Sequence, residues 1–325
     1  MKVDTLPGRI YHAVPGFEDH LIYELGKPPA GITNIGPYLF HDPGPPRDDI
    51  FWWRNSWPEP FLLEFSSINE AASALRAIGR NWSACLHTFF RRGELISSKL
   101  PHVSAKPRLF PWQLPAAPVG AWTLPDEHTI IASADCVSPF PGGVIEFEED
   151  KQGPPGRAYL KLWEALTRMR TRPQPGSRCL DAGASPGSWT WALTQLGANV
   201  IAVDRAPLEA RIANLPGVEY IRHDAFTLRP EDIGPVDWLF CDVICYPARL
   251  YGWIEKWLAS GLCRNFVCTI KMQGTVGAST IGARTVKDGI DFETPKRFAA
   301  IPGSTVVHLY HNKHELTWMH RNVCL

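Results

Sequence analysis

Asp181-Ala-Gly-Ala-Ser-Pro-Gly-Ser-Trp189 is the stretch of sequence that decides the fold of this chain. It follows a buried-strand pattern at 178–182 and precedes a helical pattern that runs to Leu196. Gly183 and Gly187 allow a sharp turn and a close approach of backbone to ligand, and the following helix offers unpaired N–H groups. Neither the GxGxxG fingerprint nor a phosphate-binding P-loop matches, so we expect a cofactor loop of another kind.

Downstream of this loop, apolar strand patterns alternate with helical patterns as far as the C-terminus. Further strands are predicted at 199–203, 218–221, 237–243 and 265–270, a helix at 247–258, and an antiparallel closing pair at 304–310 and 315–323. This alternation is typical of an α/β domain with a mainly parallel, Rossmann-like sheet. Ligands bind at the carboxyl ends of such strands, where Asp204, Asp224, Asp242 and Lys271 stand.

The upstream part of the chain predicts a smaller α+β domain. Its weaker periodicity indicates strands at 9–14, 61–65, 94–100 and 128–134, helices at 16–25 and 68–78, and an irregular Pro- and Trp-rich stretch at 106–125. A length of 325 residues favours two domains, and 149–156 (EDKQGPPG) has linker composition. We therefore expect domains at 1–150 and 151–325.

The composition is that of an ordinary globular protein, with 45% apolar and 20% charged residues. The formal net charge is zero, so any surface for a polyanion must be a local patch. The N-terminal residues lack the apolar core of a signal peptide, and no apolar run is long enough to span a membrane. We expect a cytoplasmic protein with no membrane partner.

The cysteines predict reduced, buried thiols rather than a metal centre. None forms a CxxC pair, and several lie inside apolar strand patterns. We therefore expect no metal. The eight cysteines are Cys85, Cys136, Cys179, Cys241, Cys245, Cys263, Cys268 and Cys324.

An ordered series of motifs covering about 128–325 resembles the FtsJ-like ribose 2′-O-methyltransferases, and most closely their RlmM-like branch. The motifs are SPFPGGVIEF (138–147), GRAYLKLWEAL (156–166), DAGASPGSWT (181–190), NVIAVDRAP (199–207), VDWLFCDVICYPARL (236–250), WLASGLCRNFVCTIKM (257–272) and LYHNKHELTWMHR (309–321). The resemblance implies methylation of a cytidine in large-subunit (23S) ribosomal RNA, with S-adenosyl-L-methionine as cofactor.

The implied cofactor site joins the loop to the aspartates that follow the next strands. Asp204 is placed to accept hydrogen bonds from ribose hydroxyls, and Asp224 to bind the adenine amino group. Either aspartate could instead cap a helix. The predicted cofactor-binding residues are Asp181, Gly183, Ala184, Ser185, Pro186, Gly187, Ser188, Trp189, Asp204, Asp224 and Asp242.

The resemblance also implies a Lys-Asp-Lys-Glu catalytic set, which matches Lys161, Asp242, Lys271 and Glu315. Lys271 is the candidate general base, so its pKa should fall from about 10.4 through desolvation and the neighbouring Lys161. Asp242 would orient Lys271, and Glu315 would position Lys161 or the ribose. The chain departs from the family at Ser188, where a glycine is common, and at 273–296, which does not resemble the family's amphipathic helix.

Basic residues with interleaved aromatics predict a single-stranded RNA surface in the upstream domain. The basic residues are Arg76, Arg80, Arg91, Arg92, Lys99, Lys106 and Arg108, and the aromatics are Trp82, Phe89, Phe90, Phe110 and Trp112. A second basic stretch comprises Arg157, Lys161, Arg168, Arg170, Arg172 and Arg178. Residues 14–25 (VPGFEDHLIYEL) resemble the start of the ferredoxin-like region that accompanies THUMP modules, in reduced form.

Three alternatives to an RNA 2′-O-methyltransferase stay open at this point. The chain could be an RNA-binding or ribosome-associated protein that keeps the fold without turnover. It could methylate a small molecule or a protein, which would leave the basic surface unexplained. An NAD-dependent oxidoreductase is disfavoured because GxGxxG is absent. The modified nucleotide and the oligomeric state cannot be predicted.

Overall fold

The computed structural model describes residues 3–26, 33–272 and 290–321. The chain forms two compact units, unit 1 (residues 1–109 and 113–147) and unit 2 (110–112 and 148–325). The division lies close to the expected boundary at 150/151. Of the unusual stretch at 273–296, residues 273–289 lie outside the described residues.

Unit 1 contains two sheets. Its strands are β1 (Val3–Thr5), β2 (Arg9–Ala13), β3 (Thr33–Gly36), β4 (Leu39–Asp42), β5 (Trp53–Pro58), β6 (Phe61–Glu64), β7 (Trp82–Ala84), β8 (Gly120–Thr123) and β9 (Thr129–Ser133). Its helices are α1 (Glu18–Leu25), α2 (Ile68–Ile78) and α3 (Phe90–Ser97). One sheet has the order β1-β6-β9-β8-β7, and the other, fully antiparallel, has the order β3-β4-β2-β5. The run β2-α1-β3-β4 follows the first half of the ferredoxin-like order βαββαβ, and β5 follows directly. The THUMP-like assignment therefore stays a prediction.

Two sequence-based predictions in unit 1 are wrong. Residues 94–100 were expected as a strand, but α3 extends to Ser97. The buried residues of α3 are Gly93 and Ile96, which are three residues apart, and this is a helical spacing. In the second case, the stretch at 106–125 was expected to be irregular, but it contains β8, which pairs with β9 on the side opposite β6. All four residues of β8 are buried, so it shows no alternation between inward and outward residues.

Unit 2 is an α/β domain built on a seven-stranded sheet of order β12-β11-β10-β13-β14-β16-β15. Its strands are β10 (Arg178–Ala182), β11 (Asn199–Asp204), β12 (Val218–Arg222), β13 (Val236–Cys241), β14 (Cys263–Lys271), β15 (Ser304–Val307) and β16 (Glu315–Arg321). Its helices are α4 (Tyr159–Met169), α5 (Ser188–Gln195), α6 (Ala210–Ala213), α7 (Pro230–Ile233), α8 (Pro247–Ser260) and α9 (Glu293–Ala299). The first five strands are parallel, and β16 runs antiparallel to both its neighbours. The predicted Rossmann-like fold is confirmed.

The strand order reverses direction between β10 and β13. From β10 the chain proceeds outward to β11 and β12, whereas from β13 it proceeds to β14 on the other side. In the parallel register Ala182 pairs with Cys241, so Gly183 and Asp242 leave the sheet side by side. Such a switch point is where open α/β sheets bind ligands.

The strands of unit 2 bury four of the seven described cysteines. Cys179, Cys241, Cys263 and Cys268 are buried and free, and burial raises the pKa of the Cys263 thiol to about 12. Cys324 lies outside the described residues. Among the residues described, no group of His, Cys, Asp or Glu converges as a metal site. No helix within the described ranges has the length and apolar character needed to cross a membrane.

Candidate active site

Four charged side chains of unit 2 meet at the carboxyl-end edge of its sheet. Lys161 lies in the first turn of α4, Asp242 follows β13 directly, and Lys271 is the last residue of β14. Glu315 is the first residue of β16 and lies opposite Lys271 in the antiparallel register. The fold thus brings together the whole predicted catalytic set.

These four side chains form an ion-pair ring in which positive and negative groups alternate. Lys161 Nζ donates to Asp242 Oδ2 over 2.9 Å and to Glu315 Oε1 over 2.8 Å. Lys271 Nζ donates to Asp242 Oδ1 over 2.5 Å and to Glu315 Oε2 over 2.8 Å. Each carboxylate therefore bridges both lysines, and the formal charges within the ring cancel.

The ring is shielded from water and keeps its groups charged. Only 10–18% of each side chain is exposed. Burial opposes the charge on Asp242 and Glu315, but Lys161 and Lys271 outweigh it, so the pKa of each carboxyl is lowered. Burial would likewise lower the pKa of Lys271, but the two carboxylates outweigh it and raise that pKa. The predicted fall in the pKa of Lys271 is therefore wrong for the ring as it stands, because the lysine contacts two carboxylates at once.

Thr269 supports the ring from within β14. It lies two residues before Lys271, so both side chains are on the same face of the strand. Its hydroxyl is buried and donates to Asp242 Oδ1 over 2.6 Å. The carboxylate of Asp242 is thereby fixed in orientation by three donors.

Glu164 links α4 to the loop that precedes Glu315. It lies one turn after Lys161 and is fully buried. Its carboxylate accepts the backbone N–H groups of Tyr310 and His311 over 3.0 and 3.2 Å. One helix therefore carries a lysine of the ring and holds the backbone that leads to the glutamate.

An open cleft of about 240 Å³ adjoins the ring at the switch point. Asp242 belongs both to the ring and to the wall of the cleft. The lining residues are Gly183, Ser185, Val203, Asp204, Arg205, His223, Asp224, Ala225, Phe226, Asp242, Val243, Ile244 and Arg249.

The predicted cofactor residues divide into those that line the cleft and those that support the loop. Gly183, Ser185, Asp204, Asp224 and Asp242 are in the lining. Asp181, Ala184, Pro186, Gly187, Ser188 and Trp189 are not. Ser188 Oγ and Trp189 Nε1 donate instead to the backbone carbonyls of Gly156 and Ala158, because α5 begins at Ser188 and packs beside α4.

The loop needs glycine at two positions. Gly183 has a φ of +81°, and a Cβ there would lie 2.7 Å from Val243 Cγ2. Gly187 has a φ of +119°, and a Cβ there would lie 2.7 Å from Ile212 Cγ2. Both are left-handed positions with a close neighbour, so the loop can lie against these side chains only as glycine.

Asp204 and Asp224 both have protein partners as well as a place on the cleft wall. Asp204 accepts the backbone N–H groups of Ser185 and Ala206 over 3.0 and 2.8 Å. Asp224 caps the short 3₁₀ helix that follows it and pairs with Arg249 over 3.3 Å. The capping role weighed from the sequence is thus present at Asp224. A carboxylate has about four acceptor sites, so both aspartates keep capacity for a ligand.

Asp181 is enclosed beneath the cleft. It is fully buried, and Thr190 Oγ1 donates to its Oδ2 over 2.6 Å. Burial raises the pKa of its carboxyl to about 7, and the charges of Asp242 and Asp204 add to that effect against the Thr190 hydrogen bond. The side chain therefore supports the site from below.

In unit 1, the predicted RNA surface keeps only part of its aromatic component. Trp82 is buried in the core, whereas Phe89 and Phe90 are exposed at the start of α3. Arg92 lies 5.3 Å from the ring centroid of Phe65. Of the five predicted aromatic side chains, Phe89 and Phe90 are thus the exposed ones.

In unit 2, several residues of the predicted RNA surface have internal partners. Phe110 stacks on Trp163 at 4.7 Å. In the second basic stretch, Lys161 belongs to the ring, Arg168 pairs with the buried Glu164, and Arg178 donates to backbone carbonyls. Three of the six basic residues of that stretch are therefore held by partners within unit 2.

Sequence reasoning missed several residues of the site. These are Thr269 beside the ring and, in the cleft, Val203, Arg205, His223, Ala225, Phe226, Val243, Ile244 and Arg249. The two-residue spacing to Lys271 could have identified Thr269. Arg205 and His223 adjoin predicted aspartates. Arg249 gives no local signal, because the packing of α8 places it at the cleft.

The region that contains most of this site is similar to a known protein family. Residues 155–275 match the model of the FtsJ-like methyltransferase family. The ribosomal RNA large subunit methyltransferase M of Halorhodospira halophila is 34% identical over 196 residues, which cover 59% of this chain and 54% of that protein. The protein of the same name from Xanthomonas oryzae pv. oryzae is 32% identical over 212 residues, 63% of this chain and 57% of that one.

The chain spans about half the length of these curated relatives. Among solved structures, the fibrillarin pre-rRNA processing protein of Methanococcus jannaschii aligns with 50% of this chain and 74% of its own, at 18% identity and a TM-score of 0.35. At that score the likeness decides nothing about this chain. The family-model match contains the loop, Lys161, Asp242 and Lys271. Residues 155–275 of this chain are therefore similar to the FtsJ-like methyltransferase family.

Proposed function

We propose that this protein transfers a methyl group from S-adenosylmethionine to a ribose 2′-hydroxyl of RNA, with a cytidine of large-subunit (23S) ribosomal RNA as the target. The observation that carries the proposal is the closed ring of Lys161, Asp242, Lys271 and Glu315 beside the cleft at the switch point. The names of the curated relatives support large-subunit ribosomal RNA as the substrate. A cytoplasmic location and an RNA-binding role for residues 1–150 remain predictions.

The acidic side chains of the cleft fit S-adenosylmethionine. Asp204 offers acceptors to ribose hydroxyls, Asp224 offers them to an adenine amino group, and Asp242 provides negative charge for a sulfonium. Three aspartates and two arginines, Arg205 and Arg249, line the cleft, and Arg249 is already paired with Asp224, so the net negative formal charge of the lining disfavours a polyphosphate. When bound, S-adenosylmethionine supplies a methyl group on a positively charged sulfur.

The ring acts on the proton of the ribose hydroxyl. A hydroxyl is a weak nucleophile at neutral pH, so a base must take the proton as the carbon–oxygen bond forms. We assign that role to Lys271, and we assign to Glu315 and Asp242 the fixed orientation of its amine. Lys161 still donates to both carboxylates after Lys271 has lost its proton.

Lys271 must first become neutral, although the ring raises its pKa. The ring as described balances two positive charges against two negative ones. An additional positive charge in the cleft, beside Asp242, would leave three positive charges against two negative ones. Such an excess favours loss of a proton from Lys271. Lys271 thus becomes a neutral base only when the methyl donor is bound.

A methyl-transfer assay tests the function. The protein is incubated with methyl-labelled S-adenosylmethionine and large-subunit ribosomal RNA lacking modifications, beside Lys271→Ala and a control at the exposed Lys256, Lys256→Ala. Wild type and the control should label the RNA, and Lys271→Ala should not. The absence of label with wild type, despite measurable cofactor binding, would leave the alternative of an RNA-binding protein without turnover.

A further inference from the structure

Two large apolar side chains are exposed directly after Asp242. Ile244 is 77% exposed and Tyr246 is 69% exposed, in the loop between β13 and α8. Every other exposed large apolar side chain among the described residues belongs to unit 1. Within its described part, unit 2 therefore presents large apolar groups to solvent at this one loop.

The loop holds these two side chains outward in a defined way. Burial alternates along it, with Ile244 and Tyr246 exposed and Cys245 and Pro247 buried. Tyr246 has extended backbone angles (φ −67°, ψ 141°) and directly precedes α8. In an extended stretch, residues two apart lie on the same side. Ile244 and Tyr246 thus share one face, and Cys245 and Pro247 fix the backbone between and after them.

That face is next to the reacting groups. Asp242 is part of the ring, and Ile244 is part of the cleft wall. Tyr246 follows Asp242 by four residues, a length of chain that spans at most about 14 Å. A ribose whose hydroxyl reaches Lys271 therefore carries its base into the neighbourhood of this face.

We propose that Ile244 and Tyr246 form the surface that receives the base of the nucleotide to be methylated, with the Tyr246 ring stacked on that base. The inference rests on the proposed function, because it requires RNA at the ring. A single-stranded base has an open π-face, and aromatic side chains bind such faces with little regard to sequence.

The test is a series of substitutions at Tyr246, assayed for methyl transfer to unmodified large-subunit ribosomal RNA. Tyr246→Phe and Tyr246→Trp keep an aromatic face, Tyr246→Leu keeps apolar volume only, and Tyr246→Ala removes both. Tyr38→Ala, at an exposed tyrosine of unit 1, is the matched control. The Kd of S-adenosylhomocysteine is measured for every variant, because an unchanged value shows that the cleft has kept its form.

We expect the KM for RNA to rise about 5- to 150-fold in Tyr246→Ala, the range of one lost base–aromatic stack. Tyr246→Leu should show most of that rise, whereas Tyr246→Phe, Tyr246→Trp and Tyr38→Ala should stay within about twofold of wild type. Equal KM values for Tyr246→Leu and Tyr246→Phe would overturn stacking. A KM in Tyr246→Ala within about twofold of wild type would overturn the inference and leave the proposed function standing.

Two further outcomes are decisive. If wild type transfers no methyl group to RNA, the proposed function and this inference fall together. If size-exclusion chromatography shows concentration-dependent self-association of wild type that Tyr246→Ala abolishes, the face is a contact between copies of this chain and the inference is wrong.

Discussion

Asp181 and Asp242 lie at the same edge of one sheet, on neighbouring parallel strands, yet their carboxyl groups have opposite pKa shifts. Burial raises the pKa of Asp181 to about 7, and a single side-chain hydrogen bond from Thr190 only partly offsets it. Burial acts on Asp242 in the same direction, but Lys161 and Lys271 outweigh it and lower its pKa. The two aspartates thus differ because of their neighbours, and Asp181 is fully buried whereas 18% of the Asp242 side chain is exposed.

The difference separates support from chemistry within the site. Oδ1 of Asp181 has no hydrogen-bond partner among the described residues, and the side chain lies outside the cleft lining. Asp242 has three side-chain donors and lines the cleft. A carboxylate held between two ammonium groups stays charged, and it keeps those ammonium groups charged in return. The ring therefore favours the charged form of Asp242, whereas the buried surroundings of Asp181 favour a neutral carboxyl.

The largest effect is expected from removing the base. Lys271→Met should lower the rate of methyl transfer about 10²- to 10⁴-fold, the usual contribution of a positioned base. The Kd of S-adenosylhomocysteine should stay within about threefold, because Lys271 is not in the cleft lining. Single-turnover assays measure the rate, with Lys256→Met as control. A rate within tenfold of wild type would remove Lys271 from the mechanism.

A neutral side chain at Asp242 should destabilise the fold. Asp242→Asn leaves two lysines facing one carboxylate, and breaking such a buried pair costs about 3–5 kcal/mol. Because the folded pKa of Asp242 is lowered, its contribution is present above 3.8, the ordinary value, and is lost as the pH falls. Urea unfolding at pH 7 should show the loss. Equal stability of Asp242→Asn and wild type at pH 7 would contradict the ring's net attraction.

The same substitution at Asp181 should have the opposite effect and raise the free energy of unfolding. Because its pKa is raised from 3.8 to about 7, the folded state binds more protons than the unfolded chain between these values, so wild-type stability falls as pH rises through that window. Asp181→Asn keeps an acceptor for Thr190 and removes this penalty. We expect it to be more stable than wild type by on the order of 2 kcal/mol at pH 8. The difference should vanish near pH 4, and a constant difference across that range would be the contrary result.

The smallest effect concerns protons released by the ring. Binding of S-adenosylmethionine should release up to one proton from Lys271 at pH 8, whereas S-adenosylhomocysteine, whose sulfur carries no charge, should release fewer. The groups that contact Lys271 are Asp242 and Glu315, with Lys161 on the other side of the ring and Cys245 and His314 nearby. Calorimetry in buffers of different ionisation enthalpy measures the release. Equal release for both ligands would mean that the donor's charge does not act on the ring.

Much of unit 2 could be predicted because its signals are local. Each strand of the parallel sheet is an apolar run, and the polar residues that end Asn199–Asp204 and Cys263–Lys271 identify the ligand-binding edge. The set of four charged residues could be recognised from ordered motifs. The short Glu94–Leu100 stretch was misjudged because a few residues with mixed polarity fit a helix or a strand equally well.

The sign of the pKa shift at Lys271 could not be predicted. It depends on Glu315 lying opposite Lys271, which the antiparallel register of β14 and β16 decides. The role of Asp181 could not be predicted either, because the sequence does not tell whether an aspartate near the end of a strand lines a cleft or is buried beneath it. Such features depend on contacts between distant segments, and composition and spacing do not encode them.

The position of the transferred methyl group tests most directly whether the ring acts on a ribose hydroxyl. RNA labelled by wild type and by Lys271→Ala is hydrolysed with alkali, which cannot cleave the phosphodiester next to a 2′-O-methyl group. Label from wild type should appear in alkali-resistant dinucleotides, and Lys271→Ala should give none while it still binds S-adenosylhomocysteine. Label in mononucleotides would mean methylation of a base and would contradict ribose methylation by the ion-pair ring.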